Sequence, residues 1–244
     1  MSTVLIPIVL AGLYGVVMFQ FSAWSLKRQL SRQSNPLIDK NLEKIMAKFA
    51  NILEVEKIRI NIFETEPING LAAPDGRIFI TRGFYKKYQN GDITVEEISS
   101  VVAHELGHVA LGHIRRRMID FSGQNAVRAA LGALLSRLVP GLGGFIASII
   151  GNLLMARLSR RDEYEADEYA SALMIKSGLG IEPQISMFKK LDKISNLQGS
   201  VPAWLMSHPP TQERINSIKK IVLNNLEMLI RCFLLVIFRN KIKN

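Results

Sequence analysis

His104-Glu105-Leu106-Gly107-His108 is the segment whose residue types and spacing are suited to chemistry. On a helix, residues i and i+4 lie about 40° apart around the axis, so both imidazoles leave one face, one turn apart. Two ring nitrogens converging in this way suit a tetrahedral Zn²⁺. A carboxylate beside them can take a proton from a water that attacks a carbonyl, and Glu105 holds that place. The chain has four histidines and one cysteine, Cys232, so a thiolate cluster cannot form and histidine and carboxylate must hold any metal.

A catalytic zinc needs a third protein ligand and an open position. His113 lies five residues past His108 and nine past His104. On a continuing helix it points about 140° and 180° away from them, so it reads as a surface or capping group. The carboxylates of Ser159-Arg160-Arg161-Asp162-Glu163-Tyr164-Glu165-Ala166-Asp167 are better placed. Glu163 and Asp167 share a helix face. A glutamate there can ligate the metal while the aspartate accepts the free ring N–H of a bound histidine. Spacing alone does not separate Glu163 from Glu165.

These residues need helices to present them. Thr94-Val95-Glu96-Glu97 opens one, with a threonine cap and acidic residues in the first turn, running through Ile98, Val101, Val102, Leu106 and Val109 and past His113. Arg160 to Lys176 is a second, with Ala166, Ala170, Leu173 and Met174 on its apolar face. Asp39 to Leu53, Ile185 to Ile194 and Thr211 to Leu223 show the same helical period. Ile58 to Phe63 alternates like a half-buried strand, and Asn69 to Ala73 and Arg77 to Thr81 flank a Pro74-Asp75-Gly76 turn, which predicts a hairpin. Ser31 to Pro36 reads as a polar linker. Residues 126–156 are apolar and broken by Pro140-Gly141 and Gly143-Gly144, which predicts a hydrophobic helical hairpin inserted between the two site helices.

His-Glu-Leu-Gly-His followed, after a hydrophobic insertion, by Ser-Arg-Arg-Asp-Glu-Tyr-Glu-Ala-Asp resembles the HtpX-like and CAAX-prenyl-protease-like gluzincin metallopeptidases. The resemblance extends to Asn69-Gly70-Leu71-Ala72-Ala73-Pro74-Asp75-Gly76 with Ile78-Phe79-Ile80-Thr81, and to Ser207-His208-Pro209-Pro210-Thr211 with Arg214. It spans about Asn35 to Leu223. The departure is Gly70, where the family usually carries another small or an aromatic residue. The resemblance implies a mainly helical α+β, zincin-type metallopeptidase domain with a small β-sheet over residues 35–225. It implies Glu163 as third ligand of one Zn²⁺ per chain and Asp167 as its histidine's partner. It also implies an edge strand at Ile78 to Thr81 that pairs with extended substrate, with Asn69, Ile78, Ile80 and Arg214 as substrate contacts. His208 is expected to donate to the oxyanion or to occupy the fourth metal position.

A net charge of +10 raises the question of nucleic acid, but the basic residues are scattered and no nucleic-acid motif accompanies them. Several flank apolar segments instead, which suits an anionic membrane surface. Val4 to Trp24 carries no charge, and 21 residues at a 1.5 Å rise cover roughly 30 Å, the thickness of a bilayer's hydrocarbon. Residues 1–30 are therefore expected to form an N-terminal transmembrane anchor and basic flank. Lys27, Arg28 and Arg32 on its carboxyl side place the main domain on the cytoplasmic side. Residues 226–244 form an apolar and basic tail. The expected function is a membrane-anchored zinc endopeptidase cutting proteins or peptides in membrane or membrane-proximal quality control. The alternative is a membrane-tethered chaperone or assembly factor with a silent zinc site.

Overall fold

A computed structural model describes residues 2–73, 75–114, 116–117, 143–198 and 212–220. In chain order the elements are α1 (Ser2–Arg32), β1 (Ser34–Pro36), α2 (Lys40–Ile52), β2 (Ile60–Phe63), β3 (Gly70–Ala72), β4 (Ile78–Thr81), α3 (Arg82–Gln89), α4 (Val95–Ala110), α5 (Gly143–Lys176), α6 (Glu182–Gln198) and α7 (212–220). This is a mainly helical α+β fold with a small open sheet, consistent with a peptidase domain.

The sheet order is β1-β2-β4-β3, with β2 and β4 parallel and the outer pairs antiparallel. The expected hairpin is β3–β4, in register Gly70↔Ile80 and Ala72↔Ile78. Residues read as a linker, Ser34 to Pro36, instead form an outer strand, with Asn35 opposite Ile62. Two local features explain it. The Ser34 hydroxyl donates to the Leu30 carbonyl at 2.6 Å at the end of α1. Pro36, which has no N–H to offer, is tolerated because among the described residues β1 has a neighbour on one side only.

α4 is the buried axis of the molecule: every residue from Glu97 to His108 is buried. Its start is a capping box, in which Glu97 N donates to the Thr94 hydroxyl and Thr94 N donates to the Glu97 carboxylate at 2.7 Å. Burying Glu97 costs little because Ser186 and Lys190 of α6 both donate to it, at 2.6 and 2.7 Å. Burial alone would raise the Glu97 carboxyl, but these bonds, with the Thr94 N–H and the Lys190 charge, hold it below its usual range. Ile98, Val101 and Val102 pack into one core with Phe49 of α2, Ile78 and Ile80 of β4, Leu173 and Met174 of α5, and Ile185 of α6.

The other face of the sheet is covered by the end of α1. Leu30 packs with Ala73 and Phe79, flanked by Leu26, Phe63 and Leu71, and Arg77 Nη1 donates to the Ser31 hydroxyl at 3.1 Å. Further toward the amino end, Leu13, Tyr14, Val16, Val17, Phe21 and Trp24 are each more than half exposed. Among the described residues no helix is long and apolar enough to cross a membrane. The side chains of residues 2–12, 15 and 18, which belong to the expected anchor, lie outside the described set. So do residues 126–142 of the expected hairpin, whose remainder from Gly143 is part of α5, and the whole of the expected tail at 226–244.

Candidate metal centre

α4 and α5 meet at Gly107. A Cβ there would lie 3.0 Å from the Ala166 carbonyl oxygen and 3.1 Å from its Cα, so a side chain at this position would press the two backbones apart by a few tenths of an ångström. That approach carries Glu163, one turn before Ala166, to the two imidazoles. His104 Nε2 and His108 Nε2 are 3.1 Å apart, and the Glu163 carboxylate oxygens lie 3.3 Å from the first and 3.5 Å from the second. All three side chains are buried, at 2% exposure each. Bonds of about 2.0–2.1 Å in a tetrahedral site put neighbouring donor atoms about 3.3–3.4 Å apart, so the observed spacing fits one small divalent cation. Glu105 follows His104 on the same buried stretch, and its carboxylate faces β3.

Asp167 lies 2.9 Å from His104 Nδ1, the ring atom away from Glu163. It is held in turn by Arg214 of α7, whose Nε and Nη2 donate to the two carboxylate oxygens at 2.6 and 2.7 Å. Burial alone would raise the Asp167 carboxyl; the Arg214 charge and hydrogen bond, with His104, hold it below its ordinary value. Arg214 was expected to contact substrate. It is 2% exposed, lies 4.6 Å over the Phe188 ring and is committed to Asp167, and its Nη2 is also 3.7 Å from Glu163. The expectation is corrected: a planar fork that already grips a buried carboxylate is part of the frame. Arg214→Lys, which keeps the charge and loses the fork, is expected to cost about 1.5–3 kcal/mol, read as a lower thermal midpoint.

His104 carries the largest consequence of this charge pattern. Burial disfavours its charged form, yet hydrogen bonds to Asp167 and Glu163 win and push its pKa up to about 9. Without metal, the ring is therefore protonated at neutral pH, and its charge stabilises the fold fully below its ordinary pKa of 6.5. That contribution is lost as pH rises through about 9. A metal needs the neutral ring. Zinc binding at pH 7.5 is thus expected to release about one proton from His104, and far less at pH 10. Calorimetric titrations in buffers of different ionisation enthalpy would measure this, and an absence of proton release at pH 7.5 contradicts it.

The structure corrects the reading of His113. α4 ends at Ala110, and Gly112, at φ +69, turns the chain in the left-handed region. His113 is consequently folded back and fully buried, with its Nδ1 2.9 Å from His108 Nδ1 and its Nε2 3.2 Å from Glu165. The sequence carried a signal for this, Gly112 directly before His113, a usual helix terminator. Burial pushes the His113 pKa down. Glu165 faces His113 and belongs to a second grouping, with Asp162, beside the first. Also missed were Arg116 and Arg117, which donate to Asp162, and a further bond from Arg117 Nη2 to Glu163 at 2.8 Å. No spacing rule singles these out.

The expected substrate strand is corrected too. β4 is an inner strand, and Ile78 and Ile80 are 0% exposed in the main core. Among the described residues the edge strand on this side is β3. Asn69 precedes it: its N–H donates to the Thr81 hydroxyl at 3.0 Å, and its carbonyl accepts from Thr81 N. His208 lies outside the described residues.

A buried His-His-Glu triad with a neighbouring glutamate, on helices crossing beside a small sheet, defines a metallopeptidase. Residues 25–222 match the model of peptidase family M48, and the chain belongs to that family of zinc metalloendopeptidases. It is similar to two metalloproteases of Escherichia coli K12. It is 28% identical to LoiP over 188 residues, covering 74% of this chain and 69% of LoiP. It is 29% identical to YcaL over 183 residues, covering 74% and 68%. It is also 23% identical over 181 residues to the human mitochondrial metalloendopeptidase OMA1, covering 71% of this chain and 34% of that longer protein.

Proposed function

We propose that the chain is a membrane-anchored endopeptidase with one zinc ion held by His104, His108 and Glu163, with Glu105 as general base. The convergence of Glu163 Oε1 and Oε2 on the two Nε2 atoms, at 3.5 and 3.3 Å, is the observation that supports it most. Zinc, when bound, supplies a Lewis acid and lowers the pKa of a coordinated water toward about 7. Glu105 takes the proton of the attacking water and returns it to the leaving amine. Asp167 and Arg214 hold His104 in one tautomer and orientation. His208 is proposed as a donor to the oxyanion, on the sequence resemblance.

Substrate is proposed to lie extended along β3, adding a strand to the sheet, because backbone pairing gives affinity with little sequence preference. β3 runs past the base: a Cβ on Gly70 would lie 2.8 Å from Val101 Cγ1 and 3.6 Å from Glu105 Oε1. Gly70, the departure from the family pattern, lets this edge pack directly on the Val101 side chain, with Glu105 in ordinary contact beyond it.

Residues 1–30 are proposed as a transmembrane anchor and 35–225 as the peptidase domain. The insertion at 126–156 and the tail at 226–244 are proposed to face the bilayer. Exposed apolar side chains from Leu13 to Trp24 support the anchor, and docking of Leu26 and Leu30 on the sheet would hold the cleft at a set distance from the membrane. The domain is proposed to face the cytoplasm and to act on membrane or membrane-proximal proteins. Full-length protein in detergent is expected to cleave casein, to stop after chelation and to recover with zinc. Deletion of residues 1–24 should shift it from the membrane to the soluble fraction. Intact casein in the presence of zinc-loaded protein would sink the peptidase reading, and unchanged fractionation would sink the anchor.

A further inference from the structure

His104 and His108 present the same atom, Nε2, to Glu163, but what stands behind each ring differs. His104 Nδ1 faces the Asp167 carboxylate, at 2.9 Å. His108 Nδ1 faces another imidazole, His113 Nδ1, also at 2.9 Å. A neutral imidazole that ligates through Nε2 carries its proton on Nδ1. His108 Nδ1–H therefore donates, and His113 Nδ1 accepts. The His113 proton then sits on Nε2, 3.2 Å from Glu165 Oε2, which accepts it. One set of tautomers satisfies every member.

Glu165 is itself held, by Arg161 Nε at 2.7 Å. His113, Asp162 and Glu165 lie close enough together to hold a second cation. Both ring nitrogens of His113 are already committed, however, and guanidiniums of Arg116 and Arg117 on Asp162 and of Arg161 on Glu165 offset the carboxylates. The cluster is built to hold a ring in place.

We propose that His113 is a positioning residue, fixing the tautomer and angle of the metal ligand His108 through a His108–His113–Glu165 relay. The inference rests on the assignment of His104, His108 and Glu163 as metal ligands. Partners behind a ligating histidine typically change metal affinity about 10–100-fold when lost.

The test compares His113→Leu, which fills the space and cannot accept, with His113→Asn, whose Oδ1 can replace the Nδ1 acceptor. Zinc affinity is measured by competition with a chelating dye, and visible absorption is recorded with cobalt. His113→Leu is expected to bind zinc about 10–100-fold more weakly and to shift the cobalt bands, with KM for casein unchanged and kcat lowered. His113→Asn should recover to within about threefold of wild type. Wild-type affinity and cobalt spectrum in His113→Leu would overturn the relay, as would His113→Asn being no better than His113→Leu. If wild-type protein binds no zinc at all, the metal assignment falls and the relay with it. Wild-type binding that Glu163→Ala abolishes, with His113→Leu unaffected, removes the relay alone.

Discussion

Glu105→Gln is expected to bind zinc as wild type does and to lose about 10²–10⁴-fold in kcat against casein. The substitution keeps the size of the side chain and removes the capacity to accept a proton. The atoms that converge belong to His104, His108 and Glu163, so metal content should not change. Metal analysis of the purified variant beside its turnover separates the two roles. A variant that cuts at near wild-type rate would show that another group takes the proton. A variant that loses its zinc would show that Glu105 contributes to holding it.

Glu163→Ala should weaken zinc by more than about 100-fold, because it removes one of three protein donors from a site whose partners alone are worth 10–100-fold. Glu165→Ala reaches the metal only through His113 and should cost no more than about tenfold. The comparison matters because the two glutamates are two residues apart on one helix and chemically identical. Dye competition on both variants reads the difference directly. Equal losses would mean that the carboxylates share the ion, and an inverted order would transfer the ligand role to Glu165. Folding is a separate matter: Glu163 also accepts from Arg117, so circular dichroism of the alanine variant belongs in the same experiment.

The membership of peptidase family M48 and the two-histidine, one-glutamate chemistry were legible from residue order, because the i, i+4 spacing of a helix decides locally which side chains share a face. The threonine cap at Thr94 and the β3–β4 hairpin were legible for the same reason: each is made within a few residues. Contacts between elements were not. That β4 is an inner strand follows from pairing with β2, from which β3 separates it in the sequence, and pattern alone gives no strand order. Arg214 gripping Asp167 joins residues 47 apart, and nothing in its neighbours announces the partner. His113 was misplaced by extending α4 one turn too far past Gly112, which reversed the side of the chain it occupies. Sequence by itself determined that His104 and His108 share one helix face with Glu105 beside them, through periodicity within a single helix. Which carboxylate reaches the ion, what stands behind each ring and which strand is left free were decided by packing of α4 against α5 at Gly107, where the absence of a side chain brings two distant segments into contact.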